Sequence, residues 1–84
     1  MAGGEHLVGG VPLRPGVRLL VQEADYLYGT GPVEIVVGSV ERLLWYADEE
    51  WVELQAHQLI GPNTVPRVIS IRVAALRAAA ADRR

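Results

Sequence analysis

The sequence predicts a small antiparallel all-β domain, a partly open barrel that ends in a short C-terminal helical turn. Three observations carry this expectation. Apolar and polar residues alternate through PVEIVVGSVERLLWY, WVELQAHQLI and RVISIRV, and a period of two puts one side of each run toward a core. The runs are separated by ADEE and GPNTVP, both rich in turn formers. The two turns also agree on which face is apolar. Reversing the chain at Asp48-Glu49 sets Trp45 opposite Val52, Leu43 opposite Leu54, Tyr46 opposite Trp51 and Leu44 opposite Glu53. Reversing it near Pro62-Asn63 sets Leu54 opposite Ile71, Ala56 opposite Ile69, Val52 opposite Val73 and Glu53 opposite Arg72. The expected core face is then Leu43, Trp45, Val52, Leu54, Ala56, Ile69, Ile71 and Val73, with Arg42, Glu53, Gln55, Ser70 and Arg72 on the other side. A slip of one residue in either turn would reverse the face.

The chain divides into a flexible lead (1–10), the barrel (11–76) and a short helical or frayed tail rich in Arg and Ala (77–84). Glycines and few anchors make the lead mobile. Pro12, Pro15 and Gly16 mark a turn before a first strand in which Val17, Leu19 and Val21 share a face. Residues 24–32, ADYLYGTGP, form a loop with two tyrosines. Gly29-Thr30-Gly31 is not a phosphate loop, because GxxxxGK[ST] and a following helix are both missing. Val33, Ile35 and Val37 start the next strand. Its phase slips at Ser39 and Glu41, with Val40 pointing away from the core, and a bulge near Gly38-Ser39 would repair it. Pro66 belongs at or before the start of the last strand, where its missing donor is tolerated. Residues 73–76 form a helical turn, and Arg77-Ala78-Ala79-Ala80-Ala81 has helix propensity without an apolar stripe.

Composition narrows the function classes. Half of the 84 residues are apolar and 21% are charged, too apolar for a disordered chain and rich for a lone small monomer. The absence of cysteine excludes a disulfide scaffold, a thiol nucleophile and the usual zinc ribbons. No apolar run reaches the roughly 18 residues of a membrane span, and MAGGEHLVGG lacks the basic start of a secretion signal, so cytoplasmic residence is the default expectation. The net charge of −2 does not announce a nucleic-acid binder. His6 and His57 have no carboxylate or nucleophile at a useful spacing, and the Asp48-Glu49-Glu50 run on an open turn is expected to be solvated. No enzyme activity, metal or cofactor is therefore expected.

Residues 24–28 (ADYLY) in a long first loop, Asp48-Glu49-Glu50-Trp51 as a turn followed by Trp, and Val73-Ala74-Ala75-Leu76 at the end of the last strand together resemble the SH3-like small barrel over about residues 12–76. The ALYDY-type segment and the proline–tyrosine pair of true SH3 domains are absent. The resemblance is therefore to architecture, and it does not imply polyproline recognition. The outward-facing aromatic residues beside the acidic turn, rather than the resemblance, suggest a non-enzymatic protein-interaction or adaptor module, a subunit of a larger assembly. Candidate contact residues are Leu44, Tyr46 and Trp51 beside Asp48, Glu49 and Glu50, with Tyr26 and Tyr28 as an aromatic platform on the loop. The alternative is a nucleic-acid-binding barrel, with Arg67, Arg72, Arg77, Arg83 and Arg84 on phosphates and a tyrosine stacked on a base. The expected partner is another protein or a second copy. The N-terminal strand and residues 67–73 are the candidate open edges for a homodimer, against a closed monomer in which residues 7–11 seal the edge.

Overall fold

The computed structural model describes the backbone of residues 6–81 and the side chains of residues 7–80. Its centre is a four-stranded antiparallel meander of β3 (Arg18–Val21), β4 (Val33–Tyr46), β5 (Glu49–Ile60) and β6 (Asn63–Arg72), preceded by the hairpin β1 (His6–Val8) and β2 (Val11–Leu13). A 3₁₀ turn at Glu23–Asp25 follows β3. Another at Val73–Ala75 leads into α1 (Leu76–Ala81). The fold is all-β apart from that short helix, as the alternation predicts.

The sheet curls into a half-barrel because β4 carries two bulges. Its register against β5 shifts between Val37 and Ser39 and again between Val40 and Arg42, leaving Gly38 and Glu41 as extra residues. Each bulge turns the side-chain phase by one and bends the strand. Val33, Ile35 and Val37 therefore share an inward face with Val40, which packs against the core rather than away from it as the unbroken alternation implied. The curl lets the far end of the meander meet its beginning. Tyr26 bridges Ile71, and the Leu27 amide donates to the Ser70 carbonyl at 3.0 Å.

The core fills the curl. Leu19, Val21, Ile35, Val37, Val52, Leu54, Ala56, Ile69 and Ile71 come from the meander, and Val8, Val11, Leu13, Leu76 and Ala79 close it from the open side. The first of those closing groups corrects the expected lead. From residue 6 the chain is a hairpin turning at Gly9-Gly10, and Val8 is buried. Residues 1–5 and 82–84 lie outside the described residues. The expected helical turn of the tail is α1, whose Leu76 and Ala79, three apart on one helical face, are its buried side chains. Among the described residues no helix is long and apolar enough to cross a membrane.

Both expected turns sit one residue earlier than the sequence placed them, so each register moves by two residues and each face is kept. The β4–β5 turn is Ala47-Asp48, with φ of 54° and 62°. Two left-handed residues in a two-residue loop form a type I′ turn, whose twist matches that of the strands. Trp45 then faces Glu50, Tyr46 faces Glu49, Leu44 faces Trp51 and Leu43 faces Val52. The β5–β6 turn is Gly61-Pro62. Gly61 has a φ of 59° and Pro62 is held near −65° by its ring, which is the sign pattern of type II′. Leu54 therefore faces Ile69, Val52 faces Ile71 and Ala56 faces Arg67. The expected Glu53–Arg72 pair does not form. Glu53 faces Ser70 and binds Arg42 at 2.9 Å, because the two-residue shift carries Arg72 beside Trp51.

Alanine at a left-handed position is strained by about 1 kcal/mol. The double substitution Ala47→Asn, Asp48→Gly installs the residues that a type I′ turn favours. It is expected to stabilise the domain by about 0.5–1 kcal/mol, raising Tm by a few degrees in a thermal melt. A lower Tm would contradict the assigned turn.

Candidate interaction surface

The longest strand outruns its neighbour. β3 pairs with β4 only from Val33 to Val36. Backbone bonds from the Gly16 amide to the Val37 carbonyl (2.9 Å) and from the Val37 amide to the Val17 carbonyl (2.8 Å) extend the contact by one residue. Beyond that, residues 39–46 of β4 pair with β5 on one side and with no strand on the other, among the described residues. The β4–β5 hairpin thus projects as an arm past the core. Leu43 and Trp45 keep the inward phase the sequence assigned to them, but the core does not reach that far. They are 52% and 72% exposed and do not belong to the core. Tyr46 is also exposed. On the inward face Trp45, Glu50 and Asp48 border a shallow depression backed by Val73 and Ala74.

Trp51, expected on an exposed patch, is buried on the outer face of the sheet. Its indole Nε1 donates to the Tyr46 carbonyl at 3.0 Å, and the Tyr46 ring meets it edge-on, centroids 6.2 Å apart. Its two cross-strand neighbours are half-buried Leu44 and Arg72. Trp51 braces the base of the arm and is not itself a contact residue.

Arg72 ties three segments together. Its Nε and Nη2 donate to Asp25 Oδ1 at 3.2 and 2.9 Å, and its Nη1 donates to Glu49 Oε2 at 2.8 Å. The bonds to Asp25, and then those to Glu49, raise the guanidinium pKa above its ordinary value. Arg72 therefore stays cationic wherever the domain is folded. Of the acidic turn, Glu49 is consumed by this link, Glu50 is half-buried and Asp48 is exposed at the tip.

The two loop tyrosines have different fates. Tyr26 is buried. Its hydroxyl donates to the Gly31 carbonyl at 2.7 Å and accepts the Thr30 amide at 3.1 Å, while the Arg67 guanidinium lies 5.3 Å from its ring centroid. Tyr26 latches the loop and is no stacking platform. Tyr28, with a φ of 60°, is 91% exposed.

The described arginines proposed for phosphates, Arg67, Arg72 and Arg77, are not gathered on one surface. Arg67 donates to Gln58 Oε1 at 2.6 Å, Arg72 is held by two carboxylates, Arg77 is exposed on α1, and Arg83 and Arg84 lie outside the described residues. His57 is exposed on the rim of an open groove beside Gly38 and Pro66. Among the described residues no group of three or more His, Cys, Asp or Glu side chains could hold a metal ion.

Sequence reasoning singled out Tyr46, Leu44 and the acidic turn, and it placed the exposed Leu43 and Trp45 in the core. The available signal was length. A strand of 14 residues facing a first strand of 4 must leave its far end without cover. No family model matches this chain, and neither a curated protein nor a solved structure matches it.

Proposed function

We propose that this domain is a non-enzymatic protein-interaction module, a subunit of a larger assembly, and that the β4–β5 arm is its docking element. The observation that carries this is the exposure of Trp45, beside Leu43 and Tyr46, on a strand edge that has no partner among the described residues. Leaving a large apolar side chain in water forgoes roughly 1.5–3 kcal/mol that burial would yield. Aromatic residues rimmed by charge are the usual anchors of protein contacts. Asp48 and Glu50 supply the rim. An SH3-like architecture is part of the same proposal, supported by the meander closed through Tyr26 and by the 3₁₀ turn after its last strand. The internal engagement of Arg67 and Arg72 weighs against the nucleic-acid alternative.

The test compares three baits in affinity capture: the native chain, Trp45→Ser, and Val68→Ser as a control for an exposed apolar residue elsewhere. A tryptophan anchor is worth about 2 kcal/mol or more, so Trp45→Ser is expected to reduce retention of specifically bound proteins by roughly thirtyfold. Val68→Ser is expected to leave it unchanged. Equal capture by all three would overturn the assignment of the arm.

A further inference from the structure

We propose that one partner of the arm is a second copy of this chain, joined edge to edge and antiparallel along β4 with the two-fold axis at Leu44. The proposal rests on the interaction-module reading and names its partner.

The other edges of the meander are closed to such pairing. The outer edge of β6 is taken at Ile71 and Ser70 by Tyr26 and Leu27. Further along, Pro66 interrupts it, and a residue without an N–H blunts an edge. At the other end of the sheet the edge strand β3 is only 4 residues long, and a short edge strand offers little to pair with; α1 packs beside it. Among the described residues the arm beyond the Glu41 bulge has no proline and no paired segment on its open edge. It presents five consecutive residues beyond the Glu41 bulge, Arg42 to Tyr46, four of them large and apolar.

Backbone polarity and side-chain phase select the same register. The pair that flanks a two-residue hairpin turn exchanges both of its hydrogen bonds, and bonding then alternates along the ladder. Tyr46 faces Glu49 across the turn, so its backbone groups, and those of Leu44, point to β5. The N–H and C=O groups of Leu43 and Trp45 therefore point to the open edge. A two-fold axis at Leu44 sets Leu43 of one copy against Trp45 of the other, twice over, and pairs those free groups. Leu43 and Trp45 also share the inward face, so the four side chains of the two copies form one apolar cluster. On the outer face Leu44 meets its own symmetry mate and Arg42 meets Tyr46 of the second copy, a cation against an aromatic ring. An axis at Arg42 would set two arginines opposite each other, which is destabilising. An axis at Leu43 would set Trp45 against Glu41 in the bulge. The result is one continuous sheet through both copies, the isologous arrangement that closes with two chains.

The native chain contains no cysteine, so one introduced thiol reports one position. Residues directly opposite in a non-hydrogen-bonded pair have Cα atoms about 4.5 Å apart, within the range a disulfide spans. The full chain carrying Leu44→Cys is expected to form a disulfide-linked dimer in air at least tenfold faster than one carrying Asn63→Cys, an exposed position on the other hairpin. In sedimentation equilibrium the native chain is expected to reach dimer mass between about 1 and 100 µM. Leu43→Pro, which removes an outward donor while leaving the β5 ladder intact, is expected to stay monomeric with an unchanged circular dichroism spectrum. Monomer mass for the native chain throughout that range overturns the proposal. So does a dimer in which Leu44→Cys links no faster than Asn63→Cys. Should Leu43→Pro prove unfolded, the cross-linking comparison decides alone. A monomeric chain that still loses captured proteins on Trp45→Ser would sink the second copy and spare the interaction module. Loss of neither dimer nor captured proteins in the Trp45 variant would sink both.

Discussion

Gly29→Ala is expected to destabilise the domain by about 3 kcal/mol, far more than an alanine costs at most loop positions. The reason is a close approach between backbone segments. A Cβ built on Gly29 would lie 2.2 Å from the Glu23 carbonyl oxygen and 3.3 Å from Cε1 of Tyr26. The first neighbour is backbone held in the 3₁₀ turn after β3, so no rotamer change relieves the clash. The loop must move as a body. Three ties sit on it: the Tyr26 hydroxyl bonds to Gly31 and Thr30, the Leu27–Ser70 backbone bond, and the Asp25–Arg72 ion pair. Hydrogen bonds of this kind contribute about 1 kcal/mol each, and half-exposed ion pairs contribute less. At roughly 4–8 °C per kcal/mol for a domain near this size, Tm falls by about 12–24 °C. Gly61→Asn provides the contrast. Gly61 is left-handed, but nothing stands within 4 Å of the added atom, and asparagine tolerates that conformation. Its expected cost is within about 1 kcal/mol. Thermal melts of the two variants check both values. A Gly29→Ala protein that melts within a few degrees of the native chain would show that the loop is not locked to the sheet.

That loop also marks how far the sequence can be read. Alternation located the long strands and their inward faces, because burial on one side of a pleated sheet imposes a period of two on every strand it includes. Val52, Leu54, Ala56, Ile69 and Ile71 are all core residues. The bulge near Gly38 was legible for the same reason, as a break in the phase. The second bulge at Glu41 was not, since two breaks close together restore the original parity beyond them. Turn positions were each misplaced by one residue. At Ala47-Asp48 the two left-handed residues are not the Asn-Gly pair that signals such a turn, and the strands impose the conformation on a sequence that does not prefer it. At Gly61-Pro62 the glycine was the clue, since it serves the first central position of type II′.

The candidate surface was less legible than the fold, and for one physical cause. Periodicity reports which side a residue faces but not whether anything stands there. Trp45 and Trp51 therefore exchanged roles. Trp45 points inward on an arm that the core does not reach, and Trp51 points outward under Tyr46 and beside Arg72. The Asp25–Arg72–Glu49 link spans 47 residues on one side and 23 on the other. Contacts set by the curl of the sheet leave no local pattern in the chain.

Leu54→Ala is expected to be among the most damaging single truncations, costing about 3–5 kcal/mol. Leu54 is fully buried in the middle of β5. It lies between Val40 on β4 and Ile69 on β6, its direct cross-strand neighbours. The β6 ladder runs unbroken past Leu54 and β4 pairs with β5 on both sides of its two bulges, so the site is held open around the missing atoms, and the cavity term adds to the lost transfer free energy. A domain of 84 residues has roughly 4–13 kcal/mol to lose in total, so the variant stands near the limit of folding. Leu43→Ala is the matched control. It is also on the inward phase of a long strand but is half exposed on the arm, and in the monomer it is expected to cost less than about 1 kcal/mol. Urea unfolding checks the pair, with the slope expected to stay the same while the midpoint falls for Leu54→Ala. Association stabilises whichever state it favours, so all three proteins must be compared at one concentration, low enough for monomers. A change in midpoint for Leu43→Ala that appears only at high concentration would then report the loss of association rather than the loss of core. Equal costs for the two leucines at low concentration would mean that the arm is packed as tightly as the centre of the sheet, and the exposed edge of β4 would cease to be a docking surface.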